Sequence, residues 1–406
     1  RTGITIKDWG SEQKAYGFFA DILARVYAVD LSNGELVWSK KVDDHHNATT
    51  TAQPVLFEDY LFQPVSSLEV VPAADPNYAC CTFRGSIVTM DINDGSILRQ
   101  TFTIPEEPKQ VGTNNVGVPK LAPSGAPVWN TPTVDQKKRR LYFGTGENYS
   151  SPADGNSDAI IAMNIDDGSI AWVTQTTPRD AWNVACMPII ENQTNCPQED
   201  GPDVDFGAPP ILIEDGDKRI LVAGQKSGVI WGIAPEDGEI LWKNPVGRGG
   251  VQGGMHFGMA SDGQLVYVPI SDFDDDELPI EDARPGMYAL NAFTGELVWS
   301  SPADNVCGDK VDCDPGISAA ISAIDGAAFA GHMDGRLRAY AEKDGRVLWN
   351  FDTTKTFVSV SGREASGGSF GGGTAPVVHN GRLFANSGYG LYFHMPGNVL
   401  IAFEPD

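Results

Sequence analysis

One phrase recurs along the chain and constrains its fold more than any other feature. It consists of an apolar strand, a polar turn that ends in glycine, and a second strand that usually closes on tryptophan. Its six copies are VYAVDLSNGELVW (26–38), IVTMDINDGSILR (87–99), IIAMNIDDGSIAW (160–172), VIWGIAPEDGEILW (229–242), MYALNAFTGELVW (287–299) and LRAYAEKDGRVLW (337–349). A strand, a glycine turn and a strand predict an antiparallel hairpin in each copy.

The spacing of the copies indicates the size of each structural unit. The turn glycines, from Gly34 to Gly345, follow one another at steps of 50 to 73 residues, which suits a four-stranded blade of a β-propeller. The tryptophan is expected to pack one blade on the next, and Arg99 replaces it in the second copy. We therefore predict an all-β propeller with about seven blades, as one domain over residues 1–406. A seventh, incomplete copy, VLIAFEPD (399–406), stops before its glycine, so we expect a segment upstream of Arg1 to complete the propeller.

The charge of the chain limits the partners that it can bind. A formal net charge of −25 argues against nucleic acids and anionic membrane surfaces, whose phosphates need lysine and arginine contacts. No run of 18 apolar residues is present, so the sequence predicts no membrane span.

The cysteines indicate an oxidising compartment, either the periplasm or the extracellular space. They form three couples that are close in sequence, namely Cys80/Cys81, Cys186/Cys196 and Cys307/Cys313. Local couples without CxxC zinc spacing predict disulfides, and the chain has no CxxCH haem-attachment motif. A disulfide between neighbours closes almost no loop and adds little stability, so the Cys80–Cys81 pair calls for another role.

Several segments resemble one enzyme family along essentially the whole chain. They are VSSLE (65–69), DPNYACCTFRG (75–85), APSGAPVWNTPTVD (122–135), GTGENYS (144–150), TPRDAWNVAC (177–186) and AGQKSG (223–228). They are similar to the quinoprotein alcohol dehydrogenases, and most of all to the polyvinyl-alcohol dehydrogenase branch. The resemblance implies an eight-bladed propeller when complete, with pyrroloquinoline quinone (PQQ) and Ca²⁺ on its axis.

The resemblance also implies roles for individual residues at the metal and under the cofactor. Trp129 lies 18 residues before Glu147 and matches the tryptophan that forms the floor below PQQ. Glu69, Glu147 and Asn183 match the calcium ligands, although Glu147 stands where the family has asparagine. Asn183 stands where the family has its catalytic aspartate, so Asp180 or Glu147 is the expected base.

The remaining expected contacts surround the rim and the upper face of PQQ. By resemblance, the rim contacts are the side chains of Thr51, Ser66, Ser67, Lys226 and Arg1, with Arg84 as the alternative to Arg1. Phe370, in a glycine-rich turn near the axis, is the expected aromatic at the cofactor and substrate pocket. A vicinal disulfide forms the ceiling over PQQ in the wider family, and this role is expected of Cys80 and Cys81.

The sequence therefore favours a PQQ- and calcium-dependent dehydrogenase that oxidises secondary or polymeric alcohols by hydride transfer to the quinone. Its electrons would leave through a separate c-type cytochrome, because the chain has no haem motif. The alternative is a non-catalytic propeller that serves as a binding protein or scaffold. The departures from the family pattern at Glu147 and Asn183 favour that alternative.

Overall fold

The protein is an all-β chain whose fold is a seven-bladed β-propeller of antiparallel blades. The computed structural model describes residues 3–9, 14–273, 278–390 and 392–405. The chain divides into two compact units, Arg1–Phe206 and Gly207–Asp406. The predicted fold class and the predicted number of blades are confirmed.

The first unit contains three blades and one extra hairpin. Its strands are β1 (Thr5–Trp9), β2 (Lys14–Ala20), β3 (Arg25–Asp30), β4 (Leu36–Lys41), β5 (Ala48–Thr49), β6 (Val55–Phe57), β7 (Tyr60–Ser67), β8 (Ser86–Asp91), β9 (Ile97–Phe102), β10 (Lys109–Thr113), β11 (Pro119–Ala122), β12 (Thr133–Asp135), β13 (Arg140–Gly144), β14 (Ala159–Asn164) and β15 (Ile170–Gln175). The blades are β1–β4, β5–β9 and β12–β15, and β10 pairs with β11. Two 3₁₀ helices, Pro72–Ala74 and Val184–Cys186, lie in the long connections.

The second unit contains four blades, of which the last has three strands, and a separate hairpin. Its strands are β16 (Ile211–Asp215), β17 (Lys218–Gly224), β18 (Val229–Ile233), β19 (Ile240–Pro245), β20 (Ala260–Ser261), β21 (Leu265–Ile270), β22 (Gly286–Asn291), β23 (Leu297–Pro302), β24 (Ser322–Ile324), β25 (Ala327–Gly331), β26 (Arg336–Ala341), β27 (Val347–Asp352), β28 (Thr356–Val358), β29 (Glu364–Ser366), β30 (Val377–His379), β31 (Arg382–Ser387) and β32 (Val399–Phe403). A third 3₁₀ helix spans Ile280–Asp282. Among the described residues, no helix is long and apolar enough to cross a membrane.

The repeated tryptophan packs each blade on the next within a unit, as the sequence predicts. The Trp38 indole lies under the turn glycine Gly95 of the following copy, where an added Cβ would come within 2.6 Å of the ring. Its Nε1 also donates a hydrogen bond to the Ile92 carbonyl, at 2.9 Å. Gly95 has a φ of +70°, so this turn needs glycine both for its backbone and for the indole.

Arg99 takes the place of the tryptophan where the rule is broken. Its guanidinium lies against the next turn glycine, Gly168, and donates to the carbonyls of Ile165 (3.0 Å) and Asp166 (3.3 Å). Ile165 occupies the position that Ile92 has in the preceding copy. The second copy therefore keeps the same contact with a different side chain.

All three predicted disulfides form. Cys80 bonds to Cys81, Cys186 to Cys196, and Cys307 to Cys313. The second disulfide closes the loop between the third blade and the second unit, and this loop carries part of the candidate site described next.

Candidate cofactor and metal site

Three buried carboxylates meet in the first unit. Glu147, Asp203 and Asp205 each offer an oxygen, and these oxygens lie within 4.8 Å of one another. Glu147 follows β13 in the GTGE segment, whereas the two aspartates lie in the loop that follows the Cys186–Cys196 disulfide. A donor set made only of carboxylate oxygens suits a hard cation such as Ca²⁺.

Two local features bring the aspartates to Glu147. The buried Asp180 carboxylate accepts hydrogen bonds from the backbone N–H of Asp203 (3.3 Å) and Val204 (3.0 Å). Gly146 leaves room for Asp205, since an added Cβ would lie 2.8 to 2.9 Å from its carboxylate. The N–H of Glu147 then donates to Asp205 Oδ1, at 3.1 Å. Asp180 thus fixes the loop that carries the cluster.

Trp129 is joined directly to the carboxylate cluster. Its Nε1 donates to Asp205 Oδ2 at 2.8 Å, and its side chain is half-buried. The exposed Thr51 donates from Oγ1 to the Trp129 carbonyl, at 3.3 Å. The structure therefore brings together three residues that the sequence selects, namely Thr51, Trp129 and Glu147.

A buried phenol beside the cluster reports the negative charge of the region. Burial raises the pKa of Tyr149 well above its ordinary value, and the charges of Glu147, Asp205, Glu69 and Asp203 raise this pKa further. Four carboxylates therefore act on one phenol. A cation would neutralise part of this charge.

Glu69 is fully buried and accepts hydrogen bonds from a nearby loop. Thr82 N–H donates to both of its oxygens at 3.0 Å, Phe83 N–H donates to Oε2 at 2.8 Å, and Tyr78 OH donates to Oε1 at 2.8 Å. Burial acts to raise the pKa of Glu69, but hydrogen bonds from His45 and from the N–H groups of Phe83 and Thr82 hold that pKa below its usual value. Glu69 is thus kept ionised inside the protein.

The side-chain amide of Asn183 is committed to the surrounding backbone. Its oxygen accepts from Ala185 N–H at 2.9 Å and caps the 3₁₀ helix Val184–Cys186. Its nitrogen donates to the carbonyls of Tyr149 (3.0 Å) and Asn195 (2.9 Å). These bonds give Asn183 a structural task, and its predicted role as a calcium ligand stays a prediction.

We expect Asn183→Ala to lower the free energy of unfolding by about 1–3 kcal/mol, since it leaves two buried carbonyls and a cap N–H without partners. Asn183→Asp keeps the cap acceptor but turns a buried carboxylate oxygen towards the same two carbonyls, so it should be no more stable than the alanine variant. Denaturant unfolding measures both. Equal stability of all three proteins would contradict this assignment.

The vicinal disulfide lies in an apolar cluster next to the site. Cys80 and Cys81 are buried in the hydrophobic cluster that also contains Tyr149. The chain beside them is β11, where Leu121 N–H donates to the Cys80 carbonyl at 2.8 Å and Cys81 N–H donates to the Leu121 carbonyl at 3.3 Å. The pair is therefore held by backbone pairing as well as by packing.

Three further residues selected from the sequence have assigned contacts. Ser67 Oγ accepts from Glu69 N–H at 2.9 Å, and Ser66 lies beside it in β7. The Arg84 guanidinium lies 3.9 Å from the centre of the Phe102 ring and donates to backbone carbonyls. Burial lowers the pKa of Arg84 from its usual value.

Two of the other selected residues belong to the second unit. Lys226 is buried in the turn after β17, in the second unit. Phe370 belongs to the second unit as well, where its ring packs on Gly331 and in a cluster with Leu337 and Leu383. Arg1 lies outside the described residues. All three stay predictions as PQQ contacts.

Sequence reasoning misses Asp203 and Asp205. They lie 20 and 22 residues after Asn183, beyond the disulfide loop, and the search for a replacement base considered only Asp180 and Glu147. The sequence signal that could have identified them is two aspartates separated by one apolar residue, Val204, shortly before the strand β16.

Two curated proteins are similar to this chain along nearly all of its length. The chain is 36% identical over 403 residues to a polyvinylalcohol dehydrogenase of Pseudomonas sp., covering 96% of this chain. It is 34% identical over 412 residues to a polyvinylalcohol dehydrogenase of Sphingopyxis sp. strain 113P3, covering 98% of this chain. The chain is a relative of the polyvinylalcohol dehydrogenases. It spans 62% of the length of each of these two curated relatives.

Two other comparisons concern the propeller. Residues 226–387 match the family model described as outer membrane protein assembly factor BamB. The solved quinohemoprotein alcohol dehydrogenase of Comamonas testosteroni superposes with a TM-score of 0.61 at 19% identity, covering 97% of this chain and 66% of that one. At that identity the superposition shows the fold alone. The resemblance predicted from the sequence segments is confirmed.

Proposed function

We propose that this chain is the propeller of a PQQ- and calcium-dependent dehydrogenase that oxidises secondary or polymeric alcohols. One observation carries the proposal: a buried group of three carboxylates hydrogen-bonded to the tryptophan that the sequence selects as the cofactor floor. The names of the two polyvinylalcohol dehydrogenase relatives support the substrate class.

The proposed cation site consists of Glu147, Asp203 and Asp205. Three ionised carboxylates within 4.8 Å repel one another in a buried place, and a bound cation offsets that repulsion. All donors are oxygens, which favours Ca²⁺ over metals that prefer nitrogen or sulfur. This set replaces the predicted set in two of its three members, since Glu69 and Asn183 are engaged with the backbone around them.

The proposed cofactor site lies against Trp129. A half-buried indole presents a flat face to a flat ring, and Thr51 beside it presents a hydroxyl. A PQQ held there would supply the quinone needed to accept a hydride from an alcohol carbon. The vicinal disulfide is the proposed opposite face.

Asp205 is the proposed base. Oxidation of a secondary alcohol to a ketone removes one proton from its oxygen and one hydride from its carbon, and Asp205 takes the proton on a carboxylate oxygen. Glu147 N–H and Trp129 Nε1–H each donate to one oxygen of Asp205 and so hold the carboxylate in one orientation. Asp180 positions this loop and is not required to take the proton itself.

The proposed electron acceptor is a c-type cytochrome, and the proposed location is the periplasm or the extracellular space. Relatives that are named quinohemoproteins support a haem partner. Three disulfides in one chain support an oxidising compartment.

Tb³⁺ titration tests the cation site without turnover. Tb³⁺ is an oxygen-preferring stand-in for Ca²⁺ whose emission is excited through a nearby indole, here Trp129. We expect sensitised emission that Ca²⁺ competes away, and we expect Glu147→Gln to weaken Tb³⁺ binding about tenfold or more, because one of three charges is lost.

Trp129→Phe is the matched control for the emission signal. It keeps the three carboxylates and should lose the sensitised emission. Addition of PQQ and Ca²⁺, followed by dye reduction with 2-propanol or polyvinyl alcohol, then tests the reaction. If the wild type does not bind PQQ, the enzyme proposal is wrong and a non-catalytic scaffold is favoured. The match of residues 226–387 to the BamB family model is in line with that alternative.

A further inference from the structure

The carboxylate of Glu69 is the point at which the Cys80–Cys81 loop meets the second blade. Glu69 follows the end of β7, whereas Thr82 and Phe83 come directly after the vicinal disulfide. The two consecutive N–H groups of Thr82 and Phe83 converge on its oxygens at 2.8 to 3.0 Å. Tyr78, on the other side of the disulfide, donates its hydroxyl to the same carboxylate. One side chain thus holds the loop on both sides of the cysteines.

The backbone of Glu69 is itself fixed. Its N–H donates to Ser67 Oγ at 2.9 Å, its carbonyl accepts from Ala73 N–H at 3.3 Å, and Leu68 N–H donates to the Asn47 carbonyl at 2.9 Å. The loop that contains Cys80 and Cys81 is therefore hydrogen-bonded to a residue that directly follows a strand of the second blade. A residue can hold a loop in one position only if its own backbone is held in place.

The acceptor capacity of Glu69 is taken up by these donors. A carboxylate has about four lone-pair positions, and Thr82 N–H, Phe83 N–H and Tyr78 OH together make four hydrogen bonds to it. The side chain is fully buried, so turning it towards a cation would break its bonds to the backbone N–H groups of Thr82 and Phe83. The hydrogen bonds that keep its pKa low are consistent with a permanently charged anchor.

A second clamp holds the same loop from the disulfide-closed segment Cys186–Cys196. Asn195 donates from Nδ2 to the carbonyls of Ala73 (3.1 Å), Asp75 (3.0 Å) and Tyr78 (3.3 Å). Asn195 holds the part of the loop before the cysteines, residues 73–78, and Glu69 holds the part next to the cysteines. The loop is thus attached at its start and at its end.

We propose that Glu69 is a positioning residue that holds the Cys80–Cys81 loop at the cofactor site, and that it is not a ligand of the cation. The inference rests on the proposed function for what the loop covers. It changes the expected outcome of replacing Glu69, because the affinity for the metal should be kept and the affinity for the cofactor should fall.

A double-mutant cycle between Glu69→Gln and the pair Cys80→Ser/Cys81→Ser tests this. Glutamine keeps the length of the side chain but turns an NH₂ group towards N–H donors, so at least one bond to Thr82 or Phe83 is lost. Quenching of tryptophan fluorescence gives the PQQ dissociation constant, and sensitised emission gives that of Tb³⁺. Hydrogen exchange, measured without PQQ or metal, reports on the amides of Thr82 and Phe83.

We expect Glu69→Gln and the serine pair each to weaken PQQ binding about tenfold, and the combined variant to bind no more weakly than either. Glu69→Gln should keep Tb³⁺ affinity within about twofold of wild type, whereas Glu147→Gln loses about tenfold. The amides of Thr82 and Phe83 should exchange faster in Glu69→Gln.

A loss of Tb³⁺ affinity in Glu69→Gln as large as that in Glu147→Gln would overturn the proposal, and so would fully additive losses of PQQ affinity. If Glu69→Gln does not fold, Tyr78→Phe removes one donor and leaves the charge. Faster exchange at Thr82 with unchanged Tb³⁺ binding then supports the proposal, and unchanged exchange overturns it. If the wild type binds no PQQ, the proposed function is contradicted. The role of Glu69 in holding the loop is still tested, because the hydrogen-exchange comparison needs no ligand.

Discussion

Asp205→Asn is expected to lower kcat for alcohol oxidation by about 10³-fold at saturating PQQ and Ca²⁺, because asparagine cannot take a proton at neutral pH and because one of the three charges of the proposed cation site is lost. The amide oxygen can still accept from Trp129, but the NH₂ group then faces the N–H of Glu147, so one of the two hydrogen bonds to this side chain is lost. Dye reduction under saturating conditions measures kcat. Circular dichroism and the melting temperature establish that the variant is folded.

Two variants make this result specific. Asp44→Asn removes one charge from a fully exposed side chain and should leave kcat unchanged. Asp180→Asn tests the base expected from the sequence, and its effect should be the smaller of the two, since Asp180 only holds the N–H groups of Asp203 and Val204. A fall in Asp180→Asn as large as 10³-fold, beside near-normal Asp205→Asn, would return the role of base to Asp180.

The fold could be predicted because each blade repeats its own local rules. Each strand–turn–strand pattern occupies only about thirteen consecutive residues. The packing of Trp38 on Gly95 joins two copies that are consecutive in the sequence. Even the exception obeys the same geometry, since Arg99 covers Gly168 and bonds the carbonyls below it. The fold of a chain built from sequence repeats can therefore be predicted from local patterns, without knowledge of contacts between residues distant in sequence.

The site could be predicted only in part because its members come from different loops. Trp129 and Glu147 flank one strand pair and keep a spacing that the sequence shows. Asp203 and Asp205 reach Glu147 through a disulfide-closed loop and the carboxylate of Asp180, and no local pattern encodes that path. Family spacing instead pointed to Asn183, which the loop uses as a cap.

Replacement of the vicinal cysteines is the second large effect that we expect. In the Cys80→Ser/Cys81→Ser variant, turnover should fall at least tenfold, whereas the melting temperature should drop by only a few degrees. A disulfide between neighbours restricts almost no unfolded chain, so its loss costs little entropy. Exchange of two buried sulfurs for hydroxyls costs about 1–3 kcal/mol. In a chain of 406 residues each kcal/mol lowers the melting temperature by about 2 °C or less.

The reason for the larger catalytic effect is that the disulfide shapes the loop rather than the core. Glu69 holds the backbone at Thr82, and Leu121 of β11 pairs with the backbone of Cys80 and Cys81. None of these bonds involves a sulfur atom, so the variant keeps them while its two serines lack the covalent constraint. Turnover and thermal melting of the same preparation measure both effects. A melting shift above about 10 °C with normal turnover would show that Cys80 and Cys81 serve the apolar cluster in which they are buried, and not the cofactor.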